Sequence, residues 1–240
     1  YPKPGWVEQD ADLLVSSMMA ASRDAITTSG VNPKDILSIS FSVQRCCTIL
    51  LDKEGQIIRP MLSWQDNRTA NEVEDIRAKI SDDDYFEITG FPNNTTWMLS
   101  KMLWIRKNEP QNWEKVHKVV QAHDYALAKM GADDYFVDYS DARYFGVWDP
   151  YAFKWSDELL TMFDIDKNIL PIPAVSGTKV GKVSALASQM SGYAEGTMIC
   201  VGAGDQNAAA VGAGVVSKGD VFVSMGTAGA AGAYVDHPFR

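Results

Sequence analysis

The sequence has little cysteine, no long apolar run and fewer basic than acidic residues. Three cysteines occur in 240 residues. An odd count that includes the adjacent Cys46 and Cys47 argues against a disulfide framework and favours a reducing, cytoplasmic compartment. No stretch reaches the roughly 18 apolar residues of a membrane span, so no membrane partner is expected. The net charge of −9 repels phosphate backbones, which excludes nucleic acid as an expected partner.

Histidines are also few, and both ends of the chain lack expected signals. His117, His123 and His237 show neither CxxC nor HxxxH spacing, so the sequence predicts no metal site. The chain has no initiator methionine and no signal-peptide pattern, and it stops just after a strand-like run. We therefore expect it to be part of a longer protein.

The patterns that are present predict a mixed α/β chain. Hydrophobic residues make up 46% of it, enough for one large domain or two smaller ones. Apolar residues at helical spacing predict helices at 10–29, 67–80, 95–108, within 116–131 up to Gly131, and at 156–163, 183–191 and 205–216. Three apolar runs joined by short turns, at 36–43, 47–52 and 57–64, predict an antiparallel meander. Residues 171–175 are expected to form a loop. A strand–helix–strand pattern closes the chain.

The segment GAGDQNAAAVG places a carboxylate, Asp205, in a glycine turn between a strand and a helix. It does not match the dinucleotide fingerprint, because Asn207 stands at the third glycine position, and no Walker P-loop string occurs. One interpretation makes Asp205 the N-cap of the helix. Another makes it a positioned general base at the carboxyl edge of a sheet. Both stay open on these grounds.

A second glycine turn, SMGTAG at 224–229, has two interpretations as well. It fits a plain hairpin, because glycine adopts the positive φ that such turns need. It also fits a phosphate cradle made of bare backbone N–H groups and the Thr227 hydroxyl.

Residues 202–229 resemble the FGGY family of carbohydrate kinases, and further segments follow in family order: PGWVEQD, VQRC, SWQDNRT and TGFPNNTTWMLSKMLW. The resemblance covers nearly the whole chain. It implies a ribonuclease-H-like lobe of the actin-like ATPase superfamily, with a mixed sheet and flanking helices. Residues 1–219 would be the sugar-binding lobe without its first phosphate hairpin, and 220–240 the first strands of the nucleotide-binding lobe.

The resemblance also implies a chemistry, the ATP- and Mg²⁺-dependent phosphorylation of a sugar or polyol hydroxyl. Asp205 matches the family's catalytic base, and Gly226 and Thr227 match the loop at the nucleotide phosphates. The residues matching sugar-pocket positions are Arg45, Cys46, Trp64, Asp66, Thr96 and Gln206.

Plainer roles stay open for three of these residues. Trp64 could be a core residue rather than an apolar face for sugar C–H groups. Asp66 and Arg68 could form a surface charge pair or polar clamps on the pocket rim. Arg45 could donate to two hydroxyls or be an ordinary strand-end charge.

Two departures from the family pattern bear on the substrate. Cys46 stands where glycerol kinases carry Glu and xylulose kinases carry His, and Thr96 stands where glycerol kinases carry Tyr. We expect a pentulose such as xylulose, or a longer polyol, with glycerol as the alternative. A rival of another class is an actin-like ATP-binding or assembly module without sugar kinase activity. The 240-residue chain alone is expected to be inactive, and a homodimer is left open.

Overall fold

The computed structural model describes residues 1–225 and 229–236. Its helices are α1 Ala11–Ser29, α2 Ala70–Arg77, α3 Asp82–Thr89, α4 Met98–Asn108, α5 Pro110–Trp113, α6 Ala122–Met130, α7 Tyr139–Ala142, α8 Asp157–Phe163, α9 Ala185–Ser191 and α10 Asp205–Gly212. Short 3₁₀ turns lie at Pro33–Asp35, Arg143–Phe145 and Lys167–Ile169. Within the described ranges, no helix combines the length and apolar character needed to cross a bilayer.

The strands are short, and they pair in small groups. They are β1 Glu8–Gln9, β2 Ser38–Ile39, β3 Ser42–Val43, β4 Ile49–Leu51, β5 Met61–Leu62, β6 Lys118–Val120, β7 Phe136–Asp138, β8 Trp148–Asp149, β9 Lys154–Trp155, β10 Ile172–Ala174, β11 Lys179–Lys182, β12 Met198–Cys200, β13 Ala203–Gly204, β14 Val221–Met225 and β15 Gly229–Ala233. Groups of strands and groups of helices follow one another along the chain, in keeping with the mixed α/β fold that the sequence predicts.

The sheet pairings bring distant segments together at one edge. β12 pairs parallel with β2, and β13 pairs parallel with β3. β4 pairs antiparallel with β6. As a result, the residues that follow β3 lie beside the residues that follow β13, although about 160 residues of chain separate them. This edge carries the candidate site described below.

Helix α1 illustrates how the local sequence sets an element. The side chain of Asp10 caps it by accepting the Leu13 N–H at 2.9 Å. Gly30 ends it in the left-handed conformation, at φ 69°. Val15 and Met19, one turn apart, are buried. The helix thereby covers one of two hydrophobic cores, which also holds α6 and the strands around β4.

The second core is built around α4 and is rich in aromatic side chains. Trp148 and Trp155 meet edge to face there, with ring centroids 5.2 Å apart. The aromatic and methionine stripe on α4 packs into this core, as the helical spacing predicts.

Several predicted elements differ from the structure. The run 36–43 pairs in parallel with the β12–β13 segment, so it does not join the runs 47–52 and 57–64 in a meander. Those two runs are antiparallel neighbours, through a bridge between Thr48 and Leu62. The expected loop at 171–175 contains β10. Helix α3 was not predicted, because its apolar residues are too few to form a stripe, and α10 ends at Gly212 rather than at 216.

Candidate active site

The turn that carries Asp205 is built from glycines that allow very close backbone packing. A Cβ on Gly204 would lie 2.6 Å from Arg45 Cδ and 2.7 Å from Asp141 Oδ1, and a Cβ on Gly202 would collide with the carbonyl of Phe41. These glycines are therefore needed for packing between β3, α7 and the turn.

Asp205 is the first residue of α10, and Gly204 is its N-cap. The interpretation of Asp205 as the N-cap is therefore wrong by one position, since a residue already in the helix cannot supply the cap geometry. Its side chain is 52% exposed, and Arg45 Nε lies 3.0 Å from its Oδ1. The N–H of Gln206 also donates to Oδ1, at 2.7 Å. An N–H of the first turn of α10 and a guanidinium therefore hold this carboxylate in place.

Arg45 is held from its other side by Tyr144. The guanidinium lies over the Tyr144 ring, 4.6 Å from its centroid, and Nη1 is hydrogen-bonded to the tyrosine hydroxyl. Burial raises the pKa of Tyr144 to about 12, so this phenol stays neutral. A cation fixed by a ring, a hydroxyl and a carboxylate is preorganised to donate hydrogen bonds in one direction.

Tyr144 belongs to an aromatic cluster beside Arg45. Its ring lies 5.2 Å from that of Phe91 and 5.3 Å from that of Trp97, and those two rings stack at 5.1 Å. All three side chains are partly exposed. They form an apolar wall next to charged groups, an arrangement suited to a ligand with C–H faces and hydroxyls.

Cys46 takes part in the candidate site through its backbone rather than through its side chain. It is 4% exposed and adopts φ 63°, a conformation uncommon for a residue with a Cβ. Its N–H donates to Gln121 Oε1 at 2.7 Å. Burial raises the pKa of its thiol to about 12. The side chain is therefore a neutral, enclosed thiol that offers no anionic acceptor to a ligand.

Trp64 and Thr96 lie on two other loops of the same region. Trp64 is 45% exposed, so the alternative that makes it a core residue is wrong. Thr96 is partly buried, and its N–H donates to Asn94 Oδ1 at 2.7 Å. The ammonium of Lys101, a residue that the sequence patterns did not single out, donates to the carbonyls of Cys46, Ser63 and Thr96.

Asp66 forms a buried ion pair with Arg68, and both side chains are fully buried. The guanidinium binds both carboxylate oxygens, at 2.8 and 2.9 Å. The N–H of Val7 also donates to Asp66, at 2.6 Å. Arg68 in turn stacks over Trp6 and Trp104. The alternative of a surface charge pair is therefore wrong, and the contact with Val7 attaches the N-terminal segment to the loop after β5.

Gln206 has one unpaired group. Its amide oxygen is buried and has no hydrogen-bond partner among the described residues. A buried acceptor without a donor is costly, so this oxygen is suited to accept a hydrogen bond from a ligand hydroxyl. Gly226 and Thr227, the predicted phosphate loop, lie outside the described residues. The arms of that turn, β14 and β15, pair antiparallel.

A layer of polar side chains supports the turn from behind. His123 Nε2 accepts the N–H of Gly202 at 2.9 Å, and its Nδ1 lies 3.2 Å from Asp124 Oδ1. Ser140 Oγ accepts the N–H of Gly204 at 3.1 Å while its own hydroxyl is bonded to Asp138. These contacts fix the backbone leading to Asp205. Sequence spacing gave no signal for them.

His123, Asp138 and Asp141 have donor atoms within 4.8 Å of one another and could be taken for a metal centre. Both ring nitrogens of His123, however, are already hydrogen-bonded. Burial raises the pKa of Asp141 well above its usual value, an effect to which the neighbouring Asp138 adds. Because neither ring nitrogen of His123 is free, this set lacks the three available donors that a metal ion needs.

Comparisons with known proteins bear on the family to which the chain belongs. Residues 1–212 match the model of the N-terminal domain of the FGGY family of carbohydrate kinases. A xylulose kinase of Staphylococcus xylosus is 28% identical over 96% of this chain and 47% of its own length. A glycerol kinase of Thermococcus kodakarensis is 31% identical over 95% of this chain and 45% of its own length.

A ligand-bound xylulose kinase from Lactobacillus acidophilus superposes over the whole chain and 48% of its own chain, with a TM-score of 0.91 at 22% identity. The expected ribonuclease-H-like, actin-like fold is thereby confirmed. The chain spans about half the length of the curated relatives it matches. It belongs to the FGGY family of carbohydrate kinases, and residues 1–212 match the N-terminal domain of that family.

Proposed function

We propose that the whole protein phosphorylates a hydroxyl of a sugar or polyol with ATP, and that Asp205 is the general base. The observation that carries the proposal is the half-exposed Asp205 carboxylate, held by Arg45 at the N-terminus of α10 and next to the unpaired oxygen of Gln206. The kinases of xylulose and glycerol among its relatives support the substrate class.

In the proposed reaction, Arg45 and Gln206 orient the acceptor so that one hydroxyl points at Asp205. The carboxylate takes the hydroxyl proton as the oxygen attacks the terminal phosphorus. The new P–O bond forms while the bond to the leaving ADP oxygen breaks. The aromatic wall of Phe91, Trp97 and Tyr144 shields the site from water, and Arg45 prevents Asp205 from turning away.

Among the described residues, the Asp205 carboxylate is chemically suited to the Mg²⁺ that accompanies ATP. Asp205 is an exposed hard-oxygen donor, and Mg²⁺ is typically bound by one or two carboxylates together with phosphate oxygens and water. When bound, the metal would neutralise charge on the transferring phosphate. We assign the phosphates to Gly226 and Thr227, and we keep residues 1–219 as the sugar-binding lobe and 220–240 as the start of the nucleotide-binding lobe.

For the acceptor we propose a pentulose such as xylulose, or a longer polyol. The Cys46 thiol is buried and neutral, so this position supplies no charged acceptor for a small polyol. The aromatic wall adds apolar surface for a longer carbon chain. Glycerol stays as the alternative, because the glycerol kinase relative is as similar as the xylulose kinase.

The test is sugar-dependent ADP release by the whole protein across ketoses, C4–C6 polyols and glycerol. We expect the highest kcat/KM with a pentulose or a longer polyol. A higher kcat/KM for glycerol than for all other acceptors would overturn the substrate proposal. No response to any acceptor would favour the actin-like module. The 240-residue chain assayed alone should show no turnover, because transfer requires both substrates to be positioned.

A further inference from the structure

Lys101 on α4 is a fully buried lysine whose side-chain nitrogen donates to three backbone carbonyls. Its side chain is 0% exposed. The ammonium donates to the carbonyl of Ser63 at 2.8 Å, of Cys46 at 2.9 Å and of Thr96 at 3.0 Å. An ammonium has three N–H donors, so all three are used. Because it is enclosed, Lys101 cannot touch a ligand in the pocket.

The three carbonyls belong to three separate loops of the candidate sugar pocket. Cys46 follows Arg45, Ser63 immediately precedes Trp64, and Thr96 is itself a candidate contact residue. Two of these hydrogen bonds span 55 and 38 residues of chain. One atom, Lys101 Nζ, is therefore the common point to which all three loops are attached.

We propose that Lys101 is a positioning residue that sets the distances between the three pocket loops and thereby the fit of the acceptor sugar. The inference rests on the proposed function for its substrate. Arginine cannot replace this lysine, because a planar guanidinium does not fit three carbonyls gathered around one point. Burying the Lys101 ammonium costs folding free energy. In the proposal, this cost is offset because the buried group fixes one arrangement of the three loops.

The test compares Lys101→Met with Lys107→Met in the whole protein. Lys107 lies on the same helix but is exposed, and it pairs with Asp75 at 2.9 Å. With the best acceptor from the panel, we expect Lys101→Met to raise the acceptor KM about tenfold, the equivalent of one charged hydrogen bond. The KM for ATP should change less than twofold, and Lys107→Met should behave as wild type.

Hydrogen–deuterium exchange gives a readout that does not depend on activity. In Lys101→Met, exchange should increase together at 44–47, 63–65 and 95–97, and stay unchanged in α1 and α9. A uniform increase throughout the chain, or an unchanged acceptor KM, would overturn the proposal. Should Lys101→Met fail to fold, Lys101→Gln repeats the test with an amide that retains two N–H donors, and a rise in KM of about threefold is expected.

The two proposals can fail separately. If the wild-type protein phosphorylates no acceptor, the proposed function fails, while the exchange pattern of Lys101→Met still decides whether this residue holds the three loops. If the wild type is active and the three loops do not respond to Lys101→Met, only the positioning role is refuted.

Discussion

Two arginine–aspartate pairs in this chain have nearly equal N–O distances and very different surroundings. Arg68 and Asp66 are 2.8 Å apart, and neither side chain is exposed. Arg45 and Asp205 are 3.0 Å apart, with side chains 18% and 52% exposed. The buried pair is also bonded to backbone N–H groups and enclosed by tryptophans, whereas the open pair has free carboxylate surface. The first arrangement serves stability, and the second is available to a ligand.

The comparison shows why a motif alone does not locate a site. Both pairs match family motifs, and the sequence places Asp66 among the candidate substrate residues. Burial separates them, because a carboxylate with both oxygens occupied and no exposed surface has nothing left to offer a sugar. Variants of the two pairs and of their neighbours test this difference.

The largest effect is expected at the open pair. Asp205→Asn removes the proton acceptor but keeps the shape of the side chain. A positioned base contributes on the order of 10²–10⁴ in rate, which is roughly 3–5 kcal/mol of barrier. We expect kcat of the whole protein to fall at least a hundredfold, with the acceptor still bound within a few-fold and the melting temperature within a few degrees.

The matched control is Asp83→Asn, because Asp83 is an exposed aspartate in the first turn of α3. This variant should retain wild-type kcat. Steady-state kinetics measure kcat of both variants, and a thermal melt measures their stability. Near-wild-type kcat in Asp205→Asn would refute the role of Asp205 as the base.

The second prediction concerns the buried pair. Arg68→Met leaves the Asp66 carboxylate buried without its cation, and breaking such a pair costs about 3–5 kcal/mol of folding stability. We expect a large drop in the urea midpoint. The control is Arg77→Met, which removes an exposed pair on α2 and should hardly shift the midpoint. Equal shifts in the two variants would mean that burial does not distinguish the pairs.

The third prediction concerns the layer behind Asp205. Ser140→Ala removes the acceptor of the Gly204 N–H and loosens the turn that carries the base. We expect kcat to fall about tenfold, since small displacements of a reacting group are costly, while the acceptor KM stays within twofold. Ser188→Ala is the control, because Ser188 lies on α9 and its hydroxyl donates to the carbonyl of Tyr193, not to the turn that carries Asp205. A fall in kcat of the same size in Ser188→Ala would show a general loss of stability instead.

The elements that could be predicted from the sequence are those whose structure depends on residues close by in the chain. Helical spacing located α1, α4 and α6, and the glycine turn located Asp205. The sequence also held signals that were not used, since Ser81 and Gly90 cap α3 at its two ends. The pairing of β3 with β13 could not be read, because two-residue strands carry no usable alternation.

Residues whose role depends on long-range contacts escaped prediction for the same reason. Tyr144 meets Arg45 across 99 residues, and His123 meets Gly202 across 79. Lys101 looked like one more charge on an amphipathic helix. Its burial depends on three loops that fold over it, and no local pattern records that arrangement.

The smallest effect is expected at the cysteines, and it tests how firmly the open pair is anchored. Cys46, next to Arg45, and Cys47 are buried, whereas Cys200 is partly exposed. Burial raises the pKa of the Cys46 thiol to about 12 and that of Cys47 to about 11, from an ordinary 9.0. Their neutral forms are favoured by the fold. That stabilisation is fully present below pH 9 and is lost as the pH rises toward 11–12, because the unfolded chain ionises first.

At pH 8 we expect a disulfide reagent to label one thiol quickly in the native protein and three after unfolding in urea. Cys200→Ser should abolish the fast phase. Rapid labelling of Cys46 in the folded protein would show that the Arg45 loop opens readily, and the fixed geometry argued for the Arg45–Asp205 pair would then be wrong.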